Sequence, residues 1–344
     1  MRLLIVVPGQ DRASGNWVTA TRLQRGLAAC GHQVTVTAAA DVPALRSAAV
    51  AMAAELVVLL HAWRSGRPWL AAGAPLPYAV LLTGTDINLG LADPAQAPTI
   101  EAVLARAAAI LAQDSATVDA LRAGRPALAA RIHYLPPGVS LGTAPYPVRE
   151  RLKLADSELL LLCPAGIRPV KRVVELLELC DPLVHEGYRF RLACCGPILD
   201  ADYGARFRAA LAVRPWASYL GVVPPAAMAA LLSQADLILS NSSSEGLPNA
   251  LAEAATLGRP ILASAISGNA AVVRSGYNGL LYRDRSEFLA ALRSLLDAPA
   301  RLGQLSRPDP LRFAAERECA TLEGICREVL AAGRSAVALA EAPA

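Results

Sequence analysis

The chain has 344 residues, 54% of them hydrophobic, with 33 basic and 29 acidic side chains and a formal net charge of +4. Its length suits two domains of about 150 residues each, and the mean hydropathy of +0.37 owes much to alanine. The longest strongly apolar runs, "ELVVLL" and "ELLLLC", fall far short of the roughly 20 residues of a spanning helix, and so diffuse a charge, with no basic run interleaved with aromatics, gives nucleic acid nothing to bind.

The opening "MRLLIVVPGQDR" has an apolar stretch too short for a signal-peptide core and meets a Pro-Gly turn, which predicts a mature start here and a cytoplasmic location. "RLLIVVP" reads as a strand, "NWVTATRLQRGLAAC" as an amphipathic helix stopped by Gly31, and "QVTVTA" as the next strand. "ELVVLLH", "YAVLLTG", "AAILAQD" and "RIHYLP" follow as strands with helical or loop material between them. Near-continuous apolar strands separated by helices indicate a parallel sheet covered on both faces. "PPGVSLGTAPYPV" (136–148) breaks the pattern and marks a domain boundary, giving a first domain over 1–142.

The alternation then restarts over 143–332. "ELLLLCPAG" is a strand, "VKRVVELLELCDPLVHEG" a helix and "RFRLACCGP" a strand; "SYLGVV", "ADLILSNS", "PILASA" and "GLLY" are further strands with helices between. A last helix near 310–332 closes this domain, and the Ala-rich tail 333–344 reads as loosely attached. The fold class is therefore α/β, two doubly wound sheets in series with a cleft between their strand ends. Open parallel sheets bind ligands at the carboxyl ends of strands.

Within that frame, "NSSSEGLPNALAEAATLGRP" (241–260) sets Glu245 just before a helix and Glu253 inside it. Pro248 fits the first helical turn, and the backbone N–H groups around Gly246 and Leu247 make a cradle for phosphate or sugar hydroxyls. Glu253 lies roughly 7 Å further along the axis at about 1.5 Å per residue, a spacing that lets one carboxylate hold a sugar and the other a ribose. The plainer alternative is an acid favouring the helix dipole followed by an ordinary helical Glu. "PAGIRPVKR" (164–172) adds Arg168 and Lys171 after the first strand of the second domain. Two cations at a helix start can clamp a diphosphate, arginine as a fork and lysine as a point charge. Lys171 is one of only two lysines in the chain, the other being Lys153.

Glu245 and Glu253 after "NSSSEG", with G-x-R-x-x-K at Gly166, Arg168 and Lys171, resemble the retaining glycosyltransferases of family four, which have the GT-B fold. The resemblance spans essentially the whole chain. "GNWVTATRL" (15–23), "LHAWRSG" (60–66), "LTGTDIN" (82–88) and "SGNAAVV" (267–273) are similar to a narrower group, the glycosyltransferase-1-domain-containing proteins and, more distantly, selenosugar synthases. The resemblance implies that Glu245 contacts the transferred sugar, that Glu253 accepts from the nucleotide ribose, and that Arg168 and Lys171 neutralise the diphosphate as the leaving group departs. It further implies that the Gly246 and Leu247 amides reach sugar and phosphate, that Val222, in the 218–223 segment, lines the base pocket, and that transfer proceeds with retention and without a bound metal or cofactor. The donor would be a nucleotide-diphosphate sugar, a UDP-sugar, and the acceptor a small or soluble molecule.

The amino-terminal domain should bring that acceptor. Gly15 and Asn16 open the first helix, where glycine allows close approach to donor phosphates and Asn16 equally suits an N-cap. His61 and Arg64 end one strand, Thr85 and Asp86 the next, and these four are the candidate acceptor contacts, with helix capping the alternative for Asp86.

Other signals carry less. Seven cysteines without a C-x-x-C pair read as reduced buried thiols. "DAD" at Asp200–Asp202 reads as a helix cap and not as a metal motif, and no convincing metal cluster is visible. "PGQDRASG" lacks the G-x-G-x-x-G spacing, and no G-x-x-x-x-G-K-[ST] occurs. The rival readings are a selenosugar or thiosugar synthase with a chalcogen nucleophile, a nucleotide-sugar epimerase or hydrolase, and a non-catalytic sugar-nucleotide binder. Oligomeric state has no signal in the sequence.

Overall fold

The computed structural model describes residues 1–12, 14–155 and 157–341, with side chains described as far as residue 333. The chain divides into two compact units, 1–138 with 313–344, and 139–312.

Unit 1 is built on β1 (Arg2–Val7), β2 (Gln33–Ala38), β3 (Leu56–Leu60), β4 (Tyr78–Leu81), β5 (Ala109–Ala112) and β6 (Ile132–Tyr134), paired in the order β2-β1-β3-β4-β5-β6. Every pairing is parallel. Strands buried on both faces have no reason to alternate polar and apolar residues. In β1, Leu4 and Val6 join a core with Val57, Leu59 and Trp69, while Leu3, Ile5 and Val7 join a second core with Leu23, Leu27 and Val58.

That second core also takes Cys319, Leu322, Ile325 and Cys326 from the last helix, Ala315–Glu341. The terminal helix therefore belongs to unit 1. The sequence reading placed it with the second domain and put the boundary at 142, because an apolar stripe on a helix does not say which sheet it covers. The helix also runs on through residue 341, across most of the expected tail; residues 342–344 lie outside the described residues. It packs tightly on the first helix (Gly15–Ala29), where a Cβ on Gly26 would collide with the Cys319 sulfur.

A buried ion pair fixes this contact. Arg22 Nε donates to Glu318 Oε2 at 2.6 Å and Arg22 Nη2 to Oε1 at 3.0 Å, and Gln113 Nε2 adds a bond to Oε1 at 2.6 Å. Glu318 is fully buried and Arg22 is 5% exposed. Two forked charge-assisted bonds offset the desolvation of both ions only while both are present.

Unit 2 repeats the plan with β7 (Leu159–Pro164), β8 (Phe190–Cys195), β9 (Ala217–Tyr219), β10 (Leu237–Ser240), β11 (Ile261–Ser264) and β12 (Gly279–Tyr282). Their order is β12-β11-β10-β7-β8-β9, again all parallel. Leu161, Leu192, Leu237, Phe190, Phe207 and Phe288 belong to its core, with Cys163, Cys180 and Cys194 among them. Burial pushes the Cys180 thiol well up, and a hydrogen bond with Cys163 together with burial does the same for Cys194, so both stay protonated and inert, as expected of buried cysteines. Among the described residues no helix is long and apolar enough to cross a membrane.

Removing the Glu318 carboxylate strands the Arg22 guanidinium in the core. Glu318→Ala should lower stability by about 3–5 kcal/mol in chemical denaturation, while Arg283→Ala, at an exposed pair with Glu287, should leave the midpoint unchanged. Equal effects from the two variants would contradict this account.

Candidate active site

In unit 2, β7 and β10 are neighbours, so the segments leaving their carboxyl ends, 165–172 and 241–248, start side by side. Lys171 Nζ and Glu245 Oε1 form an ion pair across them, with the two side chains 16% and 11% exposed. Ser242 Oγ donates to the same Oε1 at 2.6 Å. At such burial a charge pair is screened much less than on an open surface.

The two loops are laced beyond that pair. Val170 O accepts from Ser243 N at 2.9 Å and from Ser243 Oγ at 3.3 Å. Asn241 Nδ2 donates to Arg172 O at 3.0 Å, and Tyr282 Oη donates to Asn241 Oδ1 at 2.7 Å. Burial pushes the Tyr282 phenol well up, which keeps it a donor. Arg172 sits in the left-handed region at φ +48, and the Asn241 bond holds the carbonyl of that turn. Arg168 precedes and Lys171 ends a short 3-10 turn, Pro169–Lys171, and the following helix begins only at Val173. The sequence pattern starts the helix at Val170, taking in Lys171 with Arg168 just before it; the positive φ at Arg172 is what delays the start to Val173.

Glu245 is braced from behind as well. A Cβ on Gly268 would stand 2.6 Å from Gly246 O and 2.7 Å from both Glu245 Cβ and Glu245 O, so only glycine lets the segment after β11 approach this closely. Ser264 Oγ donates to Ser242 O at 2.6 Å, and Asn269 Nδ2 donates to Ser264 O and Oγ, both at 3.0 Å. Asn269 is fully buried.

The predicted donor residues of unit 2 that remain follow strands of this same sheet, whereas Gly15 and Asn16 lie in unit 1. The helix Asn249–Thr256 follows Pro248 as expected, with Glu253 on it. Burial pushes the Cys195 thiol up, with Cys163 and then Glu253 adding to it, which places the Glu253 carboxylate within electrostatic reach of the end of β8. Gly246 and Leu247 are half-buried, and their amides donate no hydrogen bond to other described residues. Gly166 packs under Leu199, and Ile167 exchanges backbone bonds with Pro197 and Leu199, tying the β7 and β8 loops together. β9 ends at Tyr219, earlier than the strand expected over 218–223, so Val222 stands in a loop and is 52% exposed. Asp200 accepts from Tyr203 N at 2.8 Å, which makes it a helix cap as expected. Among the described residues no group of three or more His, Cys, Asp or Glu side chains could hold a metal ion.

In unit 1 the candidate acceptor residues gather at the ends of β3 and β4. His61 Nδ1 accepts from Trp63 N and Arg64 N, both at 3.2 Å, and Nε2 lies 3.1 Å from Thr85 Oγ1. Asp86 is fully buried, and its carboxylate accepts from Ala62 N at 2.8 Å, Gly84 N at 2.9 Å and Thr83 N at 3.1 Å. This corrects its assignment as an acceptor contact: Asp86 joins two loops and has no exposed surface to offer. Gly15 is the first residue of its helix, but Ser14 is the cap, accepting from Trp17 N at 3.4 Å, so Asn16 does not fill that role.

Residues 158–298, which carry Arg168, Lys171, Glu245 and Glu253, match the family described as Glycosyl transferases group 1. The chain carries a glycosyl transferases group 1 domain. Across 306 residues it is 25% identical to glycosyltransferase 1 domain-containing protein 1 of Xenopus tropicalis, covering 83% of this chain and 85% of that protein. It is 28% identical over 285 residues to D-inositol 3-phosphate glycosyltransferase 1 of Catenulispora acidiphila, covering 75% of this chain and 68% of the relative. Among solved structures, sucrose-phosphate synthase from Thermosynechococcus elongatus matches with a TM-score of 0.80 at 17% identity, covering 96% of this chain and 100% of that one. Anabaena HepE, solved in complex with UDP and glucose, matches with a TM-score of 0.75 at 14% identity, covering 95% of this chain and 100% of that one. The fold is GT-B, and the group 1 domain makes the chain a transferase.

Sequence reasoning found the charged residues and missed their supports, Asn241, Ser242, Gly268, Asn269 and Tyr282. Their signal was the abrupt change from apolar strand to polar residues at "SNSSS" and "SGN". Gly268→Ala should displace the Glu245–Gly246 backbone and cost about 1–3 kcal/mol. A crystal structure of the variant and its melting temperature check both; an unmoved backbone at unchanged stability would show that the packing there is loose.

Proposed function

We propose that this transferase moves a sugar from a nucleotide-diphosphate donor, a UDP-sugar, to a small or soluble acceptor with retention at the anomeric carbon. Arg168 and Lys171 take up the charge of the departing diphosphate without a bound metal. The observation that carries the reading is the Lys171–Glu245 ion pair at the carboxyl edge of the unit 2 sheet. Two groups suited to opposite ends of a sugar diphosphate are held within reach of each other by loops from adjacent strands.

The pair keeps both charges satisfied before the donor arrives. A diphosphate presents more negative charge than one carboxylate, so Lys171 can transfer from Glu245 to the phosphate oxygens, with Arg168 beside it on the same turn. Glu245, still held by Ser242, then accepts from sugar hydroxyls. The Gly246 and Leu247 amides, at a helix start, add donors for sugar or phosphate. Glu253 accepts from the ribose hydroxyls, and the loop around Val222 borders the base. Arg64 and Thr85 serve the acceptor, with His61 holding their loops in place.

In the transfer step the acceptor nucleophile forms its bond to the anomeric carbon as the bond from that carbon to the β-phosphate oxygen breaks. The nucleotide leaves with the electron pair, and the acceptor proton passes to the departing phosphate. Fixed cations act where negative charge develops, which lowers the barrier more than equal charge in water would. The name of the Catenulispora relative and the UDP in the Anabaena structure support this choice of donor and chemistry.

Release of UDP from UDP-sugars, supplied with a panel of candidate acceptors, tests the reading. Lys171→Ala should slow release by about 100-fold or more, a far larger effect than its loss of melting temperature accounts for at the assay temperature, and wild-type turnover should persist in EDTA. An equal loss of stability would make Lys171 structural, and a strict divalent-ion requirement would end the metal-free proposal.

A further inference from the structure

The segment that braces Glu245 from behind is itself held by a guanidinium. The last carbonyls of a helix have no partner within it, and those that follow the short helix Ser267–Ala270 are taken up from outside. Arg312 Nη1 donates to Val272 O at 3.0 Å and Arg312 Nη2 donates to Ala271 O. Asn278 Nδ2 adds a bond to Val272 O at 3.2 Å. Arginine suits this task because its fork is rigid and always charged.

From these carbonyls a run of bonds leads to the carboxylate. Val272 N and Val273 N donate to Asn269 O at 3.0 and 2.8 Å. Asn269 Nδ2 reaches Ser264, Ser264 Oγ reaches Ser242 O, and Ser242 Oγ reaches Glu245 Oε1. Gly268, between the helix start and Asn269, stands directly against Glu245 and Gly246. Asn269 Oδ1 is buried and accepts no hydrogen bond from the described residues. That side chain is therefore held through Nδ2 alone, and its place depends on the backbone that Arg312 fixes.

The stretch that carries Arg312 is tied to a second element of the site. Asp309 N donates to Ala255 O at 3.1 Å, near the end of the helix that bears Glu253. Gly258, at φ +68 just after that helix, lies so close to Pro308 that a Cβ would meet its ring at 2.7 Å. Arginines that bond loop carbonyls are ordinary in this chain, Arg122 and Arg131 among them. Arg312 differs in that its carbonyls belong to the segment packed on Glu245.

We propose that Arg312 is a positioning residue for the transfer reaction, acting through Ala271, Val272 and Asn269 to keep the Glu245 carboxylate in place. The inference rests on reading Glu245 as the group that accepts from the donor sugar. A shift of about 1 Å in a positioning group far from the chemistry can slow a reaction by about 100-fold. The diphosphate contacts, on the loop after β7, do not pass through Arg312.

Two measurements on the full chain test this. Hydrogen exchange, which needs no substrate, is followed in peptides covering 241–252 and 264–273, with β8 as the internal control. Arg312→Ala should speed exchange at least about tenfold in both peptides and leave β8 unchanged. In turnover of a UDP-sugar, Arg312→Ala should lower kcat by about 10–100-fold, while UDP affinity does not fall. Arg312→Lys, which reaches one carbonyl at a time, should lose less in both measurements, and it carries the test if Arg312→Ala does not fold. Arg307→Ala removes a cation from the same stretch, one that lies over Tyr277 at 4.9 Å, and should match the wild type in both. Absence of UDP release by the wild type would count against the donor reading alone, and exchange would still decide whether Arg312 holds the Glu245 segment. Faster exchange confined to 264–273, a fall in kcat matched by an equal fall in UDP affinity, wild-type behaviour of Arg312→Lys beside an unfolded Arg312→Ala, or equal effects from Arg307→Ala would each overturn the inference.

Discussion

A lysine on one loop and a glutamate on the next, each mostly removed from solvent, must neutralise each other until something more highly charged arrives. The other features of the unit 2 edge serve that requirement. Ser242 holds the carboxylate, the Asn241 amide holds the turn that presents the lysine, and Gly268 lets the backbone behind Glu245 pack closely. Removing either charge leaves its partner partly buried and uncompensated, which is costlier than never having had the pair. A ligand that satisfies both ends at once would avoid that cost, as the sugar diphosphate of the proposed reaction would.

Parallel topology is what brings these groups together. Every strand of a parallel sheet ends on the same edge, so residues separated by 74 positions, such as Lys171 and Glu245, meet without long loops. Unit 1 uses the same device with a different outcome: Asp86 and His61, at the ends of β4 and β3, bond each other's loops. In both units buried polar side chains fix the backbone behind the strand ends.

The alternation of apolar runs with helices made both sheets legible, because strands buried on two faces must be apolar throughout. Glu245, Lys171 and Arg168 stood out since charged residues at strand ends of such a sheet have few structural uses. The supporting residues did not, because Asn241, Ser242 and Asn269 are small polar residues whose contacts come from distant strands. Asp86 was misjudged as a ligand contact for a related reason: burial of a carboxylate depends on which amides surround it, and three of them converge here. The terminal helix was assigned to the wrong unit because its partner, Arg22, lies almost 300 positions away.

The most direct test of the account compares UDP affinity, by calorimetry, in the wild type, Lys171→Ala and Glu245→Gln. If Glu245 holds Lys171 only until a diphosphate replaces it, removing the carboxylate charge removes a competitor, and Glu245→Gln should bind UDP severalfold more tightly while Lys171→Ala binds it far more weakly. UDP affinity that is unchanged in both variants, or reduced equally in both, would contradict the account.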